Sequence, residues 1–339
     1  MHDFDHELSV AVKLICEDKL YDARDSLLRL LTIAPQNTVL LQTLQSLTIE
    51  ILLMQQRELL GGIGKALGLI NNSVNRISHC LFQLHVAELQ RSERYSDPKR
   101  LERFGFSVGS QNEEDGMLAE VFRRIGVSDR SFFEFGVGNG LQNCTYFFLL
   151  NGWKGCWVEI DRAKVEFMRN HFATAISSRQ LTLDDTEITA ENIDARCDAL
   201  KIPDTIDLMS IDIDGNDYHV FESMTRVRPR VLVMEYNGTY PPPVRIVGAY
   251  DRSYRYDAST YIGASLQSLC DLADRKGYQL VGCNITGLNC IFVRKDLAQD
   301  LFCQPATAEN LYNVPRHQLA WGGAWGDGPR ANYGRVHEI

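Results

Sequence analysis

Asp212 and Asp214 follow the apolar run Ile206–Ile211, and Glu235 and Asn237 close the next one, RVLVMEYN. If both runs are neighbouring strands of an open α/β sheet, their carboxyl ends meet where such sheets bind ligands. Carboxylates that close together repel one another unless they are solvated, engaged in capping or neutralised by a cation. Oxygen ligands of this kind suit Mg²⁺. Asp212, Asp214, Glu235 and Asn237 are therefore either a metal site, with Asp212 and Asp214 also at the chemistry, or a group of caps. His219, one turn into the following helix, is the nearest candidate base, and an ordinary helix residue otherwise.

A second constellation lies upstream in SFFEFGVGNGLQN, Ser131–Asn143. Gly136, Gly138 and Gly140 let the backbone turn sharply and approach a ligand with no Cβ in the way. A dinucleotide fingerprint would need its third glycine where Leu141 stands. Glu159 ends the next predicted strand, GCWVEID, about twenty residues beyond the glycines, where an acid can accept from both hydroxyls of a ribose. An exposed strand-end acid is the plainer alternative. Asp161 suits the cap of a helix from Arg162 to Phe172. Asp184 or Asp185, at the end of a third strand, is placed either to approach adenine or to serve the turn.

Positioning these residues requires parallel strands buried on both faces, and Phe132, Phe133 and Phe135 read that way. Ser110, with Glu113 three residues on, reads as a capping box opening a helix through Ile125. Asn237–Thr260 breaks all periodicity and follows a ligand-side strand end, so it should cover the substrate with Tyr240, Tyr250, Tyr254 and Tyr256. One helix ended at Gly277 and two strands joined by a Thr-Gly turn close the domain. Residues 1–95 carry helical periodicity, with Pro35 stopping one helix and Asn37 or Thr38 starting the next. Gly61, Gly62 and Gly64 should bend or break the helix that follows. The stripe through Ile51, Leu52, Leu59, Leu60 and Leu67 fits either packing inside the chain or a homo-oligomer interface. Residues 96–109 read as a linker, 110–300 as the ligand-binding domain and 301–339 as a C-terminal extension.

The formal charge of -9 argues against nucleic acid as a partner. No apolar run is long enough for a membrane span, and the acidic start MHDFDHELSV differs from a secretory signal, so a cytoplasmic protein is expected. Nine scattered cysteines without a CxxC pair suit reduced thiols.

Glu134 with GVGNG resembles the first motif of class I S-adenosylmethionine-dependent methyltransferases. The S-Q-x-x-E-D run at Ser110–Asp115, G-A-S-L at Gly263–Leu266, Gly277-Tyr278 and N-x-x-F-V-R at Asn289–Arg294 are similar to FkbM-like methyltransferases. The likeness covers about Ser110 to Leu297; the amino-terminal segment resembles a single tetratricopeptide-like hairpin. This resemblance implies a doubly wound Rossmann-like α/β fold of seven strands, the last antiparallel, preceded by an all-α domain. It implies S-adenosylmethionine held by Glu134, Gly136, Gly138, Gly140, Glu159 and Asp184. The acids resemble the metal site of catechol-type O-methyltransferases, although Tyr236 separates Glu235 from Asn237. Methylation of a sugar, a glycan or another small hydroxylated acceptor, assisted by Mg²⁺, is the activity implied. A non-catalytic cofactor-binding module with a helical interaction domain, or a nucleotide-dependent oxidoreductase, are the alternatives.

Overall fold

The computed structural model describes residues 7–316 and 336–338, apart from residues 12, 15, 16, 18, 257, 258, 261 and 262. The chain divides into two compact units, Met1–Arg76 and Ile77–Ile339.

In the first unit, α1 (Leu20–Ile33) and the start of α2 (Thr38–Gln90) form the expected hairpin. Asn37 caps α2, its Oδ1 accepting from the Leu40 amide at 3.2 Å. Leu20, Ala23, Leu27 and Leu30 of α1 bury against Leu40, Leu47 and Ile51 of α2. Of the two readings of the stripe, Ile51 takes packing inside the chain, as hairpin core. A correction concerns the glycines, because α2 runs unbroken through Gly61, Gly62 and Gly64. A Cβ at any of them would meet nothing within 4 Å, so no contact deflects the helix there. Backbone entropy is then the main penalty, and the helical residues on both sides hold the ladder.

The second unit is built on a seven-stranded sheet of order β3-β2-β1-β4-β5-β8-β7. β1 (Ser131–Phe135), β2 (Lys154–Val158), β3 (Leu181–Asp184), β4 (Leu208–Ile211) and β5 (Val231–Glu235) are parallel. β7 (Tyr278–Cys283) and β8 (Asn289–Arg294) form the closing hairpin, and β8 inserts antiparallel between β5 and β7. This is the doubly wound, Rossmann-like sheet with its last strand antiparallel. Alternation along the strands sends Phe133, Phe135, Met209 and Ile211 into one core, and Phe132, Leu208 and Trp157 into the other. The short β6 (Ile246–Gly248) lies apart and pairs with β9 (Val336–Glu338). Residues 317–335 of the extension lie outside the described residues.

The segment read as a linker is folded into this unit. Leu101 and Glu102 are fully buried, and Arg100 pairs with Glu102 at 3.2 Å. Phe302 and Leu311, read as extension, also lie in its cores. Among the described residues no helix is long and apolar enough to cross a membrane.

The capping box is not formed. α3 starts at Glu114 (Glu114–Ile125), and Ser110 accepts from the Asp115 amide at 3.3 Å and not from that of Glu113. Glu113 reaches across to the β7–β8 turn, where it accepts from the amides of Ile285 and Thr286. Asp115 gathers the amides of Val108, Gly109 and Ser110 at 2.7–2.9 Å. Glu114 accepts from Asn284 and Asn289, both at 2.7 Å. All three acids are buried, not solvated, because each carboxylate finds donors in a neighbouring segment.

Candidate active site

A cavity of about 640 Å³ opens at the carboxyl ends of β1, β2, β4 and β5. Gly136 and Gly138, at the end of β1, line one side. Gly136, Gly138 and Gly140 adopt φ of 83°, 59° and 77°, a region L side chains disfavour. A Cβ on Gly136 would fall 1.4 Å from the Asp212 carbonyl oxygen, so β1 and β4 meet there as backbone against backbone. A Cβ on Gly138 would meet nothing within 4 Å, which leaves its backbone open to a ligand. Gly140 lies against Trp157, Met168 and Phe172 beneath the turn, and is not a lining residue.

Glu159 is buried and lines the cavity just beyond β2. Its Oε2 accepts from the Gly138 amide at 2.8 Å and its Oε1 from the Asp161 amide at 3.0 Å. The acid therefore braces the glycine turn as well as facing the cavity. Asp161 caps the helix α4 (Arg162–His171), accepting from the Ala163 amide at 2.9 Å. That helix sets Lys164 on the cavity wall, a position the sequence did not single out.

Across the cavity, Asp212, Asp214 and Glu235 each offer a carboxylate oxygen within 4.8 Å of the others. The turn after β4 presents two of them. Asp217 supports that turn by accepting from the amides of Ile213 and Gly215, both at 2.8 Å, while Asp214 takes φ 56°. Burial, with the charges of Asp214 and Asp217, pushes the Asp212 carboxyl well above the usual range. Glu235 is likewise raised by burial and by Asp212, and its Oε2 has no hydrogen-bond partner. Asp214 opens toward the cavity although protein surrounds its carboxyl on most sides. Burial and Asp217 raise it to about 6, against the opposing charge of Lys164. Three clustered acids with raised pKa and an orphan oxygen suit a cation.

Not every predicted residue reaches the cavity. Asn237 lines it, but its amide is engaged with the covering loop, donating to Thr260 O at 2.7 Å and accepting from the Thr239 amide at 3.1 Å. Glu134 lies behind the turn, accepting from the amides of Cys144 and Thr145 at 3.0 Å, and burial raises it to about 7. It anchors the chain after the glycines and does not line the cavity. Asp184 pairs with Arg196 at 2.6 Å outside the cavity, and Glu187, Ile188 and Thr189 line that wall instead. His219 sits on α5 (Asp217–Ser223), with Nε2 2.8 Å from Gly248 O and its ring edge-on to Tyr250. It faces β6, not the cavity, which corrects its reading as a base.

The covering loop is where the sequence places it. Tyr250, Arg252, Tyr254, Arg255 and Tyr256 line the cavity, whereas Tyr240 does not. The Tyr254 ring packs over Gly215 on the acid-bearing turn. Gln111, in the Ser110–Asp115 run, also lines it. Within that run only Gln111 lines the cavity; its acids are engaged in the fold.

The sequence matches no protein-family description and no curated protein. Solved structures similar to it include magnesium protoporphyrin IX methyltransferase (ChlM) from Synechocystis PCC 6803 with bound SAM, at 13% identity over 65% of this chain and 96% of that one, TM-score 0.37. A S-adenosylmethionine-dependent methyltransferase from Clostridium acetobutylicum ATCC 824 is 8% identical over 52% of this chain and 89% of that one, TM-score 0.34. The glycopeptide N-methyltransferase MtfA complexed with (S)-adenosyl-L-homocysteine is 14% identical over 52% and 86%, TM-score 0.33.

Proposed function

We propose that this chain is an S-adenosylmethionine-dependent methyltransferase that acts, with Mg²⁺, on a hydroxyl of a sugar or other small acceptor. The observation that carries the reading is the joining, in one cavity, of an open glycine turn braced by Glu159 with the Asp212, Asp214 and Glu235 cluster. Gly136, Gly138 and Glu159 would hold the cofactor, the acid taking the ribose hydroxyls. Asp212, Asp214 and Glu235 would hold the cation. Bound there, S-adenosylmethionine supplies an electrophilic methyl group and Mg²⁺ a Lewis acid that eases ionisation of a hydroxyl. The chain's own contribution is mainly positioning. The backbone contact at Gly136 fixes the two halves of the site, and Tyr250, Tyr254 and Tyr256 line the cavity. Leu141 in place of a third glycine weighs against a dinucleotide.

Titration calorimetry with S-adenosylmethionine and with NAD, followed by transfer of labelled methyl to a panel of hydroxylated acceptors, tests the reading. Binding of S-adenosylmethionine alone, with turnover lost in EDTA and restored by Mg²⁺, is expected. Binding of NAD alone would overturn it, and full turnover in chelator would remove the metal from it.

A further inference from the structure

Between Ile49 and Leu84, α2 repeats apolar residues at alternating steps of four and three, the signature of a coiled-coil seam. With Leu53 as heptad position a, the a residues are Leu53, Leu60, Leu67, Val74 and Leu81. The d residues are Ile49, Gln56, Ile63, Ile70, Ile77 and Leu84. Apart from Gln56, these side chains are 47–68% exposed, whereas Leu47 and Ile51, which pack in the hairpin, are 4% exposed. The seam thus overlaps the last turn of the hairpin core and continues beyond it.

We propose that α2 joins three or four copies of this chain in a parallel coiled coil through this seam. The inference concerns assembly and does not rest on the catalytic reading. Leucine at a with isoleucine at d favours three or four helices over two. The neighbouring positions agree. Leu52 and Leu59 at g widen the apolar stripe, and Gly64 at e and Ala66 at g leave room for a further helix beside the first. Orientation follows from Gln56. Parallel, in-register helices bring the Gln56 amides into one layer where they can satisfy one another. An antiparallel overlay of the same seam sets Gln56 against Ile77 and buries an unpaired amide. Size is sufficient too. At 1.5 Å per residue the seam is about 50 Å long, and its side chains would bury about 1,000 Å² per helix, above the roughly 800 Å² per partner of a standard interface. Four glycines, at positions 61, 62, 64 and 68, lie in this exposed stretch. A lone helix so composed lacks the tertiary packing that normally sustains one, and further copies supply it.

Sedimentation equilibrium of the full chain, 38.4 kDa per copy, should give a mass of three or four chains. A monomer or a dimer would overturn the proposal, as would a monomer that pellets with neutral phospholipid vesicles. The double variant Leu67→Asp, Ile70→Asp should sediment as a monomer whose sheet domain still unfolds cooperatively. Because that variant could lose its helix, a second keeps the test decisive. Exchanging the two sets, isoleucine at all five a positions and leucine at the apolar d positions, should lower the assembly to a dimer while the helix stays intact. An unchanged mass in the exchanged variant would show that the copies meet elsewhere.

Discussion

Glu159 holds the glycine turn and faces the cavity at once, and each of its oxygens accepts one backbone amide. A carboxylate oxygen has a second lone pair to offer, so the acid can brace the turn and still receive a ligand hydroxyl. Glu159→Ala should weaken S-adenosylmethionine binding by about 1.5–3 kcal/mol, read by titration calorimetry. Unchanged affinity would sink the ribose assignment. Residue types and spacing were enough to place Glu159, Asp212, Asp214 and Glu235 together, because each stands at or just beyond a strand end and all four line one cavity. They were not enough for Glu134, Asp184 and His219. Chain position says how far along an element a residue lies, but the partner it meets decides which way it turns. Thr145, Arg196 and the Gly248 carbonyl made those choices, and they lie 11, 12 and 29 residues from Glu134, Asp184 and His219, outside the elements that carry them.

The buried parallel strands were legible as elements because continuous apolar runs such as Ile206–Ile211 admit few other structures in a chain of this pattern. The entry to α3 was not. Ser110 and Glu113 have the spacing of a capping box, but Glu113 finds the amides of the β7–β8 turn, a long-range competitor that no local motif reveals. In α2 the error ran the other way. The glycines suggested a break and drew attention from the regular three-four spacing that runs straight through them. Since a Cβ at Gly61 or Gly62 meets nothing, alanine there should only reduce the entropy lost on folding. Both residues fall outside the seam. Gly61→Ala and Gly62→Ala should each stabilise the helix by about 0.5–1 kcal/mol, measured by urea unfolding followed in the far-ultraviolet. Destabilisation would mean that another chain packs closely on that face.

For the molecule as a whole, the buried acids make an electrostatic statement. Burial raises Asp214 to about 6, Glu134 to about 7 and, with Glu114 beside it, Glu113 to about 8. The folded chain therefore holds protons that the unfolded chain releases from about pH 4 upward, and stability must fall as pH rises through 6 to 8. Each tenfold difference in proton affinity is worth about 1.4 kcal/mol. Other acids work in the opposite sense. Glu120 and Asp296, held low mainly by hydrogen bonds from Arg123 and Arg294, lend stability that is lost only in acid. The ligand-free protein should accordingly melt highest near pH 5 and progressively lower toward pH 8. Added Mg²⁺ should recover part of that loss, more at pH 8 than at pH 6, because the cation competes with protons for Asp212, Asp214 and Glu235. Calorimetric scans across this range check both trends, and a melting temperature that rises from pH 5 to 8 would contradict them. The helical character of the amino-terminal segment was legible from periodicity, but the two compact units divide between Arg76 and Ile77, inside α2, and not near residue 95 as read. Nor was the extent of the second unit legible, because Leu101 stands in a charged, proline-containing segment read as linker, and Phe302 and Leu311 in a stretch with little periodicity read as extension.

The contact at Gly136 has a consequence for how such a site can change. Its amide holds the Val158 carbonyl at 3.0 Å while its Cα abuts the Asp212 carbonyl, so main chain alone joins three strands at that point. Whatever rests on the turn is gauged against whatever the acids hold by a spacer without side-chain atoms. Side chains in the loop from Asn237 to Thr260 can vary without altering that spacer, whereas position 136, where a Cβ would fall 1.4 Å from the Asp212 carbonyl oxygen, admits only glycine.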